Sequence, residues 1–392
     1  MNNLTRLSQL LQSHETDRIM TYDYVDNTEV LRAYGGYRDD RRYSPDELLD
    51  INIKAFKGIG LDITRSTHDP IQHWMRHKVD NWIRFMGVDS NDWNVQQGGD
   101  TAWISKRPFT DLAGLEKNMP SIPKEKEMRE WYEPFIRDIT KRFQEQDCIF
   151  IGAVEGPLCD AYTYVDLELF SMVLYDAPEL INHIMDCTTA YSGILTKIYA
   201  ENDTPPLQFM GEDIAGSNGP IFSPSMIEEL CLDRWRTISK PIQEKGGTFI
   251  FHTDGRYGPL LNLLLGKDKF NAEALNPIER NNCNDIFNIH KNWPEKFLFG
   301  NVCCEETLPL GNRFDVEDET LELIEKIGPS KKIFIGSSSE VHETIPLINI
   351  EVMYNTVHEY GSYPIDIDRI KKRRNEISIK RDTRKDKDNE SF

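Results

Sequence analysis

The sequence predicts an α/β protein built from eight strand–helix units, a (β/α)8 barrel, and three observations carry that expectation. Eight short runs with β-branched and aromatic character recur along the 392 residues. Segments with helical apolar spacing separate them. Several of the runs are apolar almost throughout, without the polar alternation of a sheet wetted on one face, as parallel strands buried on both faces require.

In order, the runs are RIMTYDYV (18–25), GIGLDITRS (58–66), CIFIGAVEG (148–156), LQFMGEDIA (207–215), TFIFHTDG (248–255), AEALNPIE (272–279), KFLFGNVCC (296–304) and KIFIGSSSE (332–340). The helix after the first run opens with Ser44 as N-cap, Pro45 at the first helical position and Glu47 closing a capping box. A second clear helix opens at Ser223-Pro224 and stops at Gly246-Gly247. Helical spacing also predicts elements at 69–84, 126–145, 178–200, 256–265, 317–327 and 346–360. DWNVQQGGDTAWISKRPF reads as a hairpin turning at Gly98-Gly99-Asp100, within an insertion at about 86–125. No internal repeat or Gly/Ser linker interrupts the pattern, so residues 1–375 are expected to form one domain. Residues 376–392, which interleave both charges and hold few large apolar groups, are expected to be a disordered tail.

Composition excludes several classes. With 65 acidic against 46 basic residues and a net charge of −19, the chain repels nucleic acids and anionic membranes. No apolar run approaches the ~18 residues needed to cross a bilayer. The first residues, MNNLTRLSQLLQSHETDR, show neither an unbroken apolar segment nor a small-residue cleavage site, so no secretory signal is expected. Seven scattered cysteines suit free thiols in a reducing compartment, and the cytoplasm is the expected location.

In such a barrel, residues where strands end and loops begin face the active site. FIFHTDG (249–255) runs three bulky apolar residues straight into His252 and Asp254, which marks a metal or substrate site more than a satisfied imidazole and a helix cap. The same strand-end positions hold Glu155, the pair Glu212-Asp213, Arg65 and His68, Asn276, Asn301, Cys303 and the serines 337–339. Asp213, His252, Asp254 and Glu155 are the candidate catalytic groups. Arg65, His68, Asn276, Asn301, Ser338 and Ser339 are the candidate contacts to a small-molecule substrate. Each has a plainer reading. Glu212-Asp213 could cap its loop, the serine run could bond its own backbone, and only one of Cys303 and Cys304 can face the centre. His73 and His77 have helical metal-pair spacing but lack an accompanying glutamate, so a solvated face is favoured.

The ordered blocks GEDIAG (211–216), IFSP (221–224), FHTDG (251–255), LNPIE (275–279), GNVCCEETLPLG (300–311) and IGSSSEVHETIP (335–346) resemble the uroporphyrinogen decarboxylase superfamily over roughly residues 15–365. That resemblance implies a TIM barrel of the uroporphyrinogen decarboxylase type. It also implies porphyrinogen decarboxylation or zinc-dependent methyl transfer between a corrinoid and a thiol. The decarboxylase branch carries an arginine-rich segment suited to a polycarboxylate; RAYGGYRDDRRY (32–43) is similar only loosely. The methyltransferase branch carries His-x-Cys after the fifth strand and a further Cys after the eighth. Here these positions are His252, Asp254 and Ser338 or Ser339, so two sulfur ligands have become oxygen. The resemblance therefore implies a metal, zinc first, held by His252, Asp254 and Glu212, with Cys303 able to return one sulfur. Since no cobalamin-carrier motif of the DxHxxG type is present, a corrinoid would arrive on a separate carrier protein, and the resemblance also implies a homodimer. The expected activity is metal-assisted methyl transfer. The alternatives are a metal-free carboxy-lyase of tetrapyrrole metabolism, in which His252 shuttles a proton, and a non-catalytic binding subunit.

Overall fold

The structure, a computed structural model, describes residues 1–70, 74–98, 101–280 and 284–389. Among the described residues the sheet has nine strands, all inside the eight predicted runs: β1 (Met20–Asp23), β2 (Ile63–Thr64), β3 (Gly152–Glu155), β4 (Leu207–Gly211), β5 (Thr248–His252), β6 (Ala274–Asn276), β7 (Phe297–Phe299) and β8 (Ile333–Ile335), with a short further strand, Ile149–Phe150, sharing the third run with β3. Helices separate them, including Pro45–Ile59, whose Ser44–Glu47 capping box is formed as the sequence indicates. Among the described residues, no helix is long and apolar enough to cross a membrane.

The chain divides into two compact units, one of residues 1–68, 143–149 and 274 onward, the other of 69–142 and 150–273. In the first unit, Tyr22 pairs with Ile63, Met20 with Phe334, Leu298 with Ile333 and Ala274 with Phe297. Its core is aromatic, with Phe299 stacked on Phe334 at 4.2 Å and met edge-on by Tyr22 at 4.9 Å. One buried carboxylate joins the ends of β1 and β8. Asp23 accepts from the Ser337 main chain at 2.8 Å, the Ser337 hydroxyl and the Tyr354 hydroxyl at 2.9 Å. Burial pushes its carboxyl up to about 7, against the pull of these bonds.

In the second unit β3, β4 and β5 are adjacent, with Gly152 opposite Gln208, Glu155 opposite Gly211, and His252 opposite Gly211 from the other side. The expected hairpin pairs Asn94–Gly98 with Thr101–Lys106 in antiparallel register; Gly99 and Asp100 of its turn lie outside the described residues.

Two features depart from expectation. Helices Pro157–Val165 and Leu167–Asp176 follow β3, where the sequence reading placed no helix. Residues 376–389, part of the stretch expected to be a disordered tail, continue a helix, Ile367–Asn389. Ile370 and Ile377, seven residues apart, are fully buried on it. Arg373 pairs with Glu317, and Arg374 and Arg381 with Asp318, on helix Arg313–Lys326. Of these, Ile377 and Arg381, paired with Asp318, fall within 376–389, and counting charges did not register them.

A Cβ on Gly336 would lie 1.8 Å from the Tyr22 carbonyl oxygen, whereas one on Gly216 meets nothing within 4 Å. Gly336→Ala should therefore cost at least the upper end of the ~1–3 kcal/mol typical of overpacking, and Gly216→Ala well under ~1 kcal/mol, as read by urea unfolding.

Candidate active site

The register of β3, β4 and β5 generates the site. Parallel strands leave the sheet at the same end, so the residues that follow them emerge together. The Glu212 N–H donates to the His252 carbonyl at 2.9 Å, extending the ladder by one residue. Side chains along a strand end alternate in direction. His252 and Asp254 therefore share a face, Asp213 shares it with them, and Glu212 points the other way. Gly255, at φ +80°, lets the two loops touch, since a Cβ there would lie 2.6 Å from the Ala215 carbonyl oxygen.

The result is a three-residue group. His252 Nε2 lies 3.6 Å from Asp213 Oδ1 and 3.5 Å from Asp254 Oδ2. One potential ligand atom from each residue falls within 4.8 Å of the others. The imidazole is 7% exposed and packs on Phe209 at 4.8 Å, while the Asp213 and Asp254 side chains are 47% and 42% exposed. The Tyr162 hydroxyl donates to the Asp213 carbonyl at 2.7 Å and fixes that loop. Partial burial, then the neighbouring charges of Asp254 and Glu155, push the Asp213 carboxyl up against the pull of His252, and the water reaching it tempers the effect. Two ligands about 2.1 Å from one ion sit roughly 3–3.5 Å apart. The two separations from His252 are close to that span, and the nitrogen–oxygen donor set suits a divalent cation of zinc-like or harder character.

Glu212 is not a ligand in this arrangement, contrary to expectation. Fully buried, it accepts from the Leu158 and Cys159 N–H groups at 3.2 and 2.9 Å and from the Trp235 indole at 2.8 Å. It thus satisfies the start of helix Pro157–Val165, where anions are stabilised. Its neighbour at position 156 must be glycine, because a Cβ would fall 2.0 Å from Glu212 Oε2.

The sequence reading missed Lys78. It is buried, with Nζ 3.1 Å from Glu155 Oε2 and 3.4 Å from Asp160 Oδ1; Asp160 is also bonded by the Trp82 indole at 3.2 Å. Burial works against its charge, yet Glu155 and Asp160 hold its pKa above the ordinary range. The signal was present: Lys78 falls on the stripe Met75, Val79, Trp82, Phe85 and Met86 that its helix buries. A lysine on a buried stripe needs carboxylate partners.

The other expected site residues belong to the first unit and make bonds there. His68 is clamped between Asp26 and Glu343, with the Thr28 hydroxyl at 3.0 Å, a bracing role where a substrate contact was expected. The Ser338 hydroxyl accepts from the Cys304 N–H at 3.0 Å and donates to Cys304 Sγ at 3.2 Å, an internal arrangement in place of the expected ligand contact. Asn301 donates to the Ile278 carbonyl and Asn276 to that of Phe299 at 3.4 Å, so these amides also brace loops. Arg65 lies over the Tyr24 ring at 4.3 Å, and Ser339 is half-buried. The buried Cys303, offered above as a sulfur ligand, is not in the three-residue group; its N–H donates to Glu319 at 2.9 Å. His73 lies outside the described residues.

The family model for uroporphyrinogen decarboxylase (URO-D) matches residues 93–360. The chain belongs to the uroporphyrinogen decarboxylase family. No curated protein matches it in sequence. A methyltransferase from Methanosarcina mazei is similar in structure with a TM-score of 0.70 at 17% identity, covering 92% of this chain and 99% of that one. The fold of this family member is accordingly an α/β, TIM-like barrel of parallel strands and helices, as its sequence predicts. A D-psicose 3-epimerase from Clostridium cellulolyticum H10 (TM-score 0.38, 10% identity, 60% of this chain and 85% of that one) and Dispersin B (0.39, 11%, 86% and 98%) are too remote to bear on it.

Two substitutions test these assignments. Lys78→Met leaves Asp160 a buried carboxylate without its cation and should cost ~3–5 kcal/mol, part of which Asp160→Asn in the same chain restores, as read by a double-mutant cycle of urea unfolding. Burial disfavours the His68 imidazolium, but the bonds to Asp26 and Glu343 outweigh it and raise His68 to about 9. A pKa raised on folding gives stability that is complete below the unfolded value near 6.5 and is lost as pH climbs through about 9. The melting temperature of His68→Gln should therefore fall well below that of the parent at pH 6 and approach it at pH 10.

Proposed function

We propose that this member of the uroporphyrinogen decarboxylase family is a metal-assisted methyltransferase, taking a methyl group from a corrinoid presented by a separate carrier protein. The observation that carries the reading is the convergence of His252, Asp213 and Asp254 at the ends of β4 and β5. The structural likeness to a methyltransferase favours the same branch. A divalent ion at these residues, zinc first, would supply Lewis acidity that lowers the pKa of an acceptor thiol or hydroxyl. His252 offers nitrogen from the buried side, its ring held by Phe209, and the two aspartates offer oxygen from the open side. Glu155 ends β3 in the same row and is held by Lys78. It is the group assigned to accept the acceptor's proton as the methyl carbon leaves cobalt and bonds to the acceptor, the cobalt retaining the electron pair.

Porphyrinogen decarboxylation is the weaker reading. It needs guanidinium groups for a polycarboxylate, and Arg32, Arg38 and Arg41 of the loosely similar segment already pair with Asp39, Asp40 and Glu47.

The test uses untagged protein stripped of metal. Zinc at 100 times its Kd should raise stability by ~2.7 kcal/mol, and His252→Ala should abolish that gain. The zinc-loaded protein should consume methylcob(III)alamin absorbance with a thiol acceptor, and Glu155→Gln should slow this at least tenfold. Zinc-independent stability, or CO2 release from uroporphyrinogen in place of methyl transfer, would overturn the proposal.

A further inference from the structure

A cavity of about 680 Å³ opens in the second unit, between the strand that ends the hairpin and helix Leu167–Asp176. The residues reported above for metal binding do not line it. Its size is that of a small-molecule site. Phe109, Leu112, Val165, Leu169, Met172 and Val173 supply an apolar wall. Met172, which lines it, is 57% exposed, an apolar side chain left to water.

The charges around this wall are unequal. The two cations present, Lys106 and Arg107, are both occupied. Lys106 Nζ is 2.5 Å from Asp92, and the Arg107 guanidinium donates to the carbonyls of Ile104, Thr163 and Tyr164 at 3.2, 2.8 and 3.0 Å. Of the four acids, Asp111 and Asp166 cap helices, accepting from the Gly114 and Glu168 N–H groups at 2.7 and 3.1 Å. Asp166 also sits 3.6 Å from Arg107. Glu168 and Asp176 remain at the rim, and among the described residues no cation pairs with either. An apolar wall with two uncompensated carboxylates at its edge complements one kind of molecule, a hydrophobic body ending in a positive charge. The acids exclude the corresponding carboxylate by like-charge repulsion.

We infer that this cavity is a second ligand site, and that it takes an apolar amine or quaternary ammonium compound, its hydrocarbon part against Met172 and Val173 and its cationic head toward one of the two carboxylates, Glu168 or Asp176, which stand about 12 Å apart along the helix. The wall residue Val165 ends the helix that carries Tyr162, whose hydroxyl holds the Asp213 carbonyl, so the ligand rests on an element bordering the catalytic rim.

The test compares three probes with one hydrocarbon body, 4-phenylbutylamine, 4-phenylbutanol and 4-phenylbutyrate, by calorimetric titration of the full chain with and without saturating zinc. The amine should bind one to one, the alcohol at least threefold and the carboxylate at least tenfold more weakly. Glu168→Gln with Asp176→Asn should weaken the amine at least fivefold and leave the alcohol unchanged. Met172→Arg, which places a competing cation at an exposed position with little risk to folding, should abolish amine binding. Absence of saturable binding, equal affinity for amine and carboxylate, or amine affinity unchanged in these variants would overturn the assignment. Displacement of the amine by zinc would also overturn it, by placing the amine at the metal-ligating residues.

Discussion

The row Glu155–Gly211–His252 across three parallel strands is the constraint on which the candidate site depends. Parallel pairing fixes which residues stand level, and level residues release their loops together. A slip of one residue in β5 would turn His252 toward the helices and bring Thr253 to the open face. The buried, apolar composition of the strand prevents this slip, since Phe249, Ile250 and Phe251 are wholly enclosed. Hydrophobic register therefore acts here as a determinant of the candidate site, with no direct part in any chemistry there.

The same alternation explains why two adjacent acids do opposite work. Glu212 faces inward, where two main-chain N–H groups and an indole receive it; burial raises its pKa to about 7 in spite of those three donors. Asp213, one residue later, faces the open end. Glu212 fixes the helix that bears Tyr162, Tyr162 fixes the Asp213 main chain, and Asp213 meets His252. A carboxylate with three donors is a fastening, whereas one with an imidazole beside it at an open edge is placed where it could hold an ion.

Much of this was legible in the sequence. Strands β1 to β8 were, because a strand buried on both faces writes an apolar run that needs no partner to be recognised. His252 and Asp254 stood out because ionisable groups end one such run. The parity argument that separates Glu212 from Asp213 was available too, but it requires knowing that the strand stops at Gly211, and element ends are what sequence patterns fix least well. Helices Pro157–Val165 and Leu167–Asp176 went unseen because neither displays a continuous polar face; LELFSMVLYD leaves Leu167, Met172 and Tyr175 exposed while burying Phe170 and Val173. Lys78 escaped because its meaning lies in Glu155 and Asp160, 77 and 82 residues away in sequence, and distant carboxylate partners leave no local mark.

The donor set at the strand ends bears on the choice of chemistry. Zinc held by two thiolates and an imidazole has much of its charge donated away by soft sulfur, and so binds an added thiol gently. Carboxylates donate less, so an ion at His252, Asp213 and Asp254 would keep more of its positive charge for the acceptor and acidify it more strongly. It would also tolerate oxygen acceptors that a sulfur-rich site binds poorly. The sequence positions where sulfur is missing and the oxygen donors grouped around His252 are thus consistent with either acceptor of the proposed reaction, a thiol or a hydroxyl. In the proposed reaction Asp254 and Asp213 would set that charge directly, and Lys78 at one remove by holding Glu155.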